Sequence, residues 1–193
     1  MIPQLREFDV NVWLSVQAEE LASRLANIHF DYVFTSPYDR CVETAVRIVR
    51  ERKLPINVEP GLSEVLCLCE KPAGFRALSL LKETYPLINV NYVPVYARSD
   101  LDYAFERLHC DWVCVPRTRT TLQSIVDDYR GSLLVVTHGA VVGAIHEIVT
   151  GKWSSVGQAT VSKFTRFRSE QGFVCEYSGD SSHLSSLVNL RAF

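Results

Sequence analysis

Three short stretches carry side chains that could handle an anion. Arg40 follows Thr35-Ser36-Pro37-Tyr38-Asp39 and falls in the first turn of an apolar-periodic segment. There, unpaired backbone N–H groups and the positive end of a helix dipole favour negative charge, and a guanidinium fork matches a phosphate. His138 closes the apolar run Leu133-Leu134-Val135-Val136-Thr137 and is followed by Gly139, which lets the backbone turn tightly and approach a ligand. Glu64, in Pro60-Gly61-Leu62-Ser63-Glu64, comes after a third extended stretch and could give a proton to a leaving alkoxide. Taken singly, each has a plainer reading. Arg40 can be a solvated surface charge, Glu64 a loop carboxylate, and His138 a structural histidine beside the core.

The elements that must position these residues alternate between two periodicities. Residues 16–28 place Val16, Leu21, Ala22, Leu25 and Ile28 near helical spacing, with Glu19, Glu20 and Arg24 on the other side. Tyr32-Val33-Phe34-Thr35 is the continuous apolar run of a strand buried on both faces. Residues 39–52 read as a helix through Val42, Ala45, Val46 and Val49, closed by Pro55 before a short strand at Ile56-Asn57-Val58. Residues 70–85 contain a further helix. Residues 87–116 show no sustained period and read as an irregular insertion with a short helix around 103–108. Helices follow at 120–129, stopped by Gly131, and at 140–149, stopped by Gly151, on either side of the strand at 133–137. Runs at 161–167 and 173–177 form a hairpin around Glu170-Gln171-Gly172. Strands alternating with helices predict an α/β three-layer sandwich with a mainly parallel sheet. Ligands of such sheets collect beyond the carboxyl ends of the strands, where Arg40 and His138 both fall.

The totals narrow the function classes. At 193 residues, with 47% hydrophobic and 22% charged residues, the chain reads as a single globular domain over 1–193. A net charge of -2 gives no reason to expect nucleic acid or an acidic membrane as partner, so any anion site must be built locally. No apolar stretch is long enough for a membrane span, and the amino terminus lacks the pattern of a signal peptide, which predicts a cytoplasmic protein. The six cysteines are then expected to be reduced. The separations of Cys67, Cys69, His109, Cys110 and Cys114 do not fit paired zinc-ligand spacing, so neither a metal nor another cofactor is expected.

Ser36-Pro37-Tyr38-Asp39-Arg40-Cys41-Val42-Glu43-Thr44-Ala45 resembles the S-P-x-x-R-C/A-x-x-T-A motif of the histidine phosphatases, the phosphoglycerate mutase-like superfamily. In the same order as in that family come Gln17-Ala18 before the motif, Leu62-Ser63-Glu64 after it, Val135-Val136-Thr137-His138-Gly139, and Ser182-His183-Leu184. The wording Val58-Glu59-Pro60-Gly61-Leu62 leans towards the branch containing the suppressors of T-cell-receptor signalling. The resemblance implies a phosphoglycerate mutase-like fold and phosphomonoester hydrolysis. It implies that Arg40 and His138 bind the transferred phosphoryl group, with His138 and Glu64 in the catalytic set and Glu64 as acid. It also implies a phosphorylated small molecule or phosphoprotein as partner, and leaves room for a homodimer.

One expected element is not in the sequence. The family opens with a strand ending in Arg-His-Gly, whose imidazole attacks phosphorus. Only sixteen residues precede Gln17, none of them histidine, and Arg6-Glu7-Phe8 places a carboxylate where the imidazole belongs. The reading is therefore of an amino-terminally incomplete family domain lacking the first strand, with little or no phosphatase activity of its own. The alternatives are a pseudophosphatase that still binds phosphorylated ligands and an interaction domain with a relic pocket. Loss of a central strand is expected to leave a neighbouring edge open.

Overall fold

The structure is a computed structural model and describes residues 7–69, 74–108, 114–166, 172–188 and 190. Its first element is helix α1 (Glu7–Leu25), followed by β1 (Tyr32–Thr35), α2 (Asp39–Val49) and β2 (Ile56–Val58). Then come α3 (Leu78–Thr84), α4 (Tyr103–Leu108), α5 (Val115–Asp128), β3 (Leu133–Val136) and α6 (Gly139–Thr150). A hairpin of β4 (Val161–Arg166) and β5 (Phe173–Asp180) completes it.

The three apolar runs make one parallel sheet in the order β2-β1-β3. The layers follow from two adjacent residues of the middle strand. Val33 and Phe34 point to opposite faces, as consecutive strand residues must, and both are fully buried. Val33 lies in the cluster that holds Leu21 and Leu25 of α1 and Val42, Ala45 and Val49 of α2. Phe34 lies in the cluster with Leu62, Ile125 of α5, and Val141 and Ile145 of α6. Helices thus cover both faces, which is why β1 has an unbroken apolar sequence. The chain after α3 covers part of the outer edge of β2, where Ile56 N donates to Leu87 O at 2.9 Å and Asn89 N to Ile56 O at 2.8 Å.

Several boundaries differ from the sequence reading. Helix α1 starts at Glu7, so Glu7 and Phe8 belong to a helix, and it stops at Leu25 instead of reaching residue 28. Helix α2 ends at Val49, before the expected 52. Helix α5 begins at Val115, five residues ahead of 120, with Pro116 in its first turn. Proline is accommodated there because the first helical N–H groups need no intrahelical acceptor. The insertion therefore gives way to helix before residue 116, while its short helix at 103–108 is α4. Residues 70–73 of the expected third helix lie outside the described residues, as do Glu170 and Gln171 of the hairpin turn. Strand β1 bonds directly to β3 along Tyr32↔Leu133 to Thr35↔Val136, so no open position lies between these two strands.

Candidate functional site

Because the three strands run parallel, their carboxyl ends open at the same end of the sheet. Ser36 leaves β1 there, Glu59 leaves β2, and His138 follows β3. Helices α2 and α6 also begin at this end, so two sets of amino-terminal N–H groups face the same region. His138 is the N-cap of α6 in extended backbone and makes no side-chain cap bond. Its ring is thus available to the site. Thr137 Oγ1 donates to Leu62 O at 2.8 Å, tying the end of β3 to the turn that carries Glu64.

The three sequence-predicted residues meet. Arg40 Nη2 lies 2.8 Å from His138 Nδ1 and 3.3 Å from Glu64 Oε2, and His138 Nδ1 lies 3.3 Å from the same Glu64 oxygen. The imidazole is 2% exposed, whereas the Arg40 side chain is half-exposed. A charged head reached from solvent, backed by a buried imidazole, is a geometry open to an incoming anion. Tyr38 frames it, with its ring edge against His138 and the Arg40 guanidinium 5.0 Å above its ring centroid.

A single ring nitrogen cannot serve both neighbours. With Nε2–H given to Ser36 Oγ at 2.7 Å, a neutral His138 uses Nδ1 to accept from Arg40. A protonated His138 instead donates from Nδ1 to Glu64. Burial works against the charged imidazole, but the Cys41 sulfur and the Glu64 carboxylate outweigh it and hold the His138 pKa above its ordinary 6.5. Burial likewise favours a neutral Glu64. The hydrogen bond and charge of His138, the Val65 N–H and Arg40 outweigh that and hold the carboxyl below its ordinary 4.5. The two shifts favour the proton on His138 over Glu64, while the 2.8 Å approach of Arg40 Nη2 is the geometry of a neutral Nδ1 acceptor, so Arg40 and Glu64 compete for this nitrogen.

Residues 15–68 match the family model of the histidine phosphatase superfamily (branch 1). No curated protein matches the chain. Among solved structures, Bacillus stearothermophilus YhfR is similar with a TM-score of 0.61 and 23% identity, over 86% of this chain and 82% of that one. Phosphoglycerate mutase from Bacillus anthracis is similar with a TM-score of 0.57 and 19% identity, over 86% of this chain and 80% of that one. The fold is phosphoglycerate mutase-like. The alpha-ribazole phosphatase from Shigella flexneri is similar with a TM-score of 0.54 and 18% identity, over 85% of this chain and 80% of that one.

Within this phosphoglycerate mutase-like fold, two further side chains touch the site. Ser36 Oγ, His138 and Glu64 have the connectivity of a serine–histidine–acid triad, but Ser36 is fully buried, so no substrate carbon or phosphorus can reach its oxygen. Its hydroxyl orients the imidazole instead. The Cys41 sulfur packs against the same ring, 3.7 Å from Nε2. Both residues stand in the Ser-Pro-x-x-Arg-Cys motif, yet nothing in their local sequence marks contact with a residue about a hundred positions away. Of the other histidines, His29 pairs with Asp31, His146 bonds Lys152 O and His183 bonds Ala159 O. His109 and Cys110 lie outside the described residues. Cys41, Cys69, Cys114 and Cys175 are thiols and not disulfide halves. Among the described residues no group of side chains forms a metal-ligand cluster, and no helix is long and apolar enough to cross a membrane.

Proposed function

We propose that this chain is a histidine-phosphatase-type domain whose Arg40–Glu64–His138 cluster binds the phosphoryl group of a phosphomonoester, and that alone it hydrolyses such esters weakly or not at all. The observation that carries the binding half is the meeting of Arg40, Glu64 and His138, from three separate segments, at the shared end of a parallel sheet. Arg40 supplies a forked, permanently charged donor. His138, in its protonated form, supplies a second. A phosphate dianion arriving at Arg40 displaces the Glu64 carboxylate from its ion pair and, by like-charge repulsion, pushes the Glu64 pKa upward. Only then does Glu64 become able to give a proton to a leaving alkoxide.

The weak turnover follows from the chemistry of the nucleophile. Arg40 and His138 can stabilise charge on phosphorus, but covalent transfer needs an attacking imidazole, and the sequence holds no Arg-His-Gly. That absence also favours a second reading, a noncatalytic binder of phosphorylated ligands. The three residues do not choose between a phosphorylated small molecule and a phosphoprotein. The lean towards the suppressor branch rests on Val58-Glu59-Pro60-Gly61-Leu62 alone.

Inorganic phosphate and vanadate test the reading by thermal protection of the purified chain. Protection is expected in the wild type, with apparent affinity lower by roughly tenfold or more in Arg40→Ala, the size of a lost charged hydrogen bond. No protection at high ligand concentration would overturn the binding proposal and assign the cluster to a relic pocket. A generic aryl phosphate is expected to be hydrolysed little. Rapid turnover that disappears in His138→Ala would overturn the second half.

A further inference from the structure

The acid-bearing segment after β2 consists of a short 3-10 turn at Pro60–Leu62, three irregular residues 63–65 and a second 3-10 turn at Leu66–Leu68. Three of its carbonyls converge on one guanidinium. Arg117 of α5 donates from Nη1 to Gly61 O at 2.8 Å and Ser63 O at 3.0 Å, and from Nη2 to Glu64 O at 3.2 Å. Buried carbonyls without strand partners need donors from elsewhere, and a buried guanidinium needs a counter-charge. Glu106 of α4 provides it, accepting from Arg117 Nε at 2.7 Å and Nη2 at 3.2 Å while also accepting from Leu66 N at 2.7 Å. Both side chains are almost fully buried. The pair thus grips the turn at residues 61, 63, 64 and 66, on both sides of the Glu64 side chain. That side chain is the one that reaches Arg40 and His138.

We infer that Arg117, held by Glu106, is a positioning residue for the anion site, fixing the main chain of Glu64 so that its carboxylate meets Arg40 and His138. The inference rests on the reading of that cluster as a functional site. A lysine at 117 could satisfy one or two of these acceptors but could not span three carbonyls and a carboxylate in one plane. Val115 and Pro116 open α5, so Arg117 stands in its first turn, facing the gripped turn.

His138 reports the position of Glu64 without any ligand. Its ring faces Glu64 from the gripped turn, Arg40 and Cys41 from α2, and Ser36 and Tyr38 from the β1–α2 connection. Arg117 bonds to none of these side chains, touching only the Glu64 main chain, so its replacement acts on the ring through the position of Glu64. The His138 imidazole is therefore titrated by NMR in the wild type, Arg117→Lys, Glu106→Gln and, as reference, Glu64→Gln. Arg117→Lys and Glu106→Gln are expected to remain folded by circular dichroism. In both, His138 titrates lower by about one pH unit, towards the Glu64→Gln value, as expected when an opposite charge within a few ångströms is withdrawn. A folded variant whose His138 titrates as in the wild type overturns the inference. So does failure of both variants to fold, which assigns the pair to the fold at large. Because the titration contains no phosphate, absence of phosphate protection in the wild type would remove the binding proposal without touching this result.

Discussion

At the level of single residues, the Arg40–Glu64–His138 cluster, proposed as an anion receptor, is also a proton-sharing arrangement. The raised His138 pKa means that its charged form contributes stability fully below about pH 6.5, and that the contribution is lost as pH rises through the folded value. The lowered Glu64 pKa has the opposite sign, its contribution being present above about pH 4.5 and lost as pH falls through the folded value. The two overlap between about pH 4.5 and 6.5, where both partners carry charge. Glu64→Gln removes the carboxylate that helps to keep His138 protonated. The unfolding free energy of that variant is expected to fall less steeply than that of the wild type as pH is raised from mildly acidic to alkaline, in urea titrations across this range. Equal slopes would show that Glu64 does not set the charge of His138. Arg40 and His138 were legible in the sequence because each stands where an apolar-periodic element begins or ends, whereas Glu64, a loop carboxylate when taken alone, was picked out only by the resemblance. Arg117 and Glu106 were not, since their task is to satisfy carbonyls tens of residues away, which leaves no periodic trace.

At the level of elements, the turn after β2 is packed to the limit. A Cβ on Gly61 would meet Thr121 Oγ1 at 2.1 Å and Glu59 Oε1 at 2.8 Å, while Gly61 N donates to the latter oxygen at 2.7 Å. Gly61→Ala is expected to cost about 1–3 kcal/mol, the range for overpacking a closed site, read as a lowered midpoint in thermal unfolding. Unchanged stability would mean that α5 stands off from the turn. The glycine had been legible only as part of Pro60-Gly61-Leu62, a pattern shared with ordinary turns. Glu59 is the companion case. Fully buried, it accepts from Gly61 N, Tyr92 Oη, Val95 N and Tyr96 N, and so binds the insertion to the turn. Its sequence neighbours read as a strand end, and no local rule anticipates four donors. The strands themselves were plain from their apolar runs. The start of α5 was missed because Pro116 was read as the close of irregular structure, although proline fits equally well inside the first turn.

At the level of the whole molecule, the middle strand unites the two cores. Phe34 is fully buried and meets Tyr92 and Tyr129 edge-on, joining the sheet to the insertion and to the end of α5. Phe34→Ala is expected to cost about 3–5 kcal/mol, measured by denaturant unfolding. A loss below the range for a single methylene would contradict the packing described. The layer order was legible from the alternation of periodicities, but the pairing of β1 directly with β3 was not, because both read only as buried strands. That pairing has a kinetic consequence. Arg40 and His138 are 98 residues apart in the chain, so the cluster does not exist until β1 and β3 have found each other, and contacts of such sequence separation are slow to form. A phosphate ion has nothing to hold in the earlier species. On the proposed reading phosphate binds only after that step, so it is expected to lengthen the lifetime of the native state by slowing escape from it and to leave the rate of arrival unchanged.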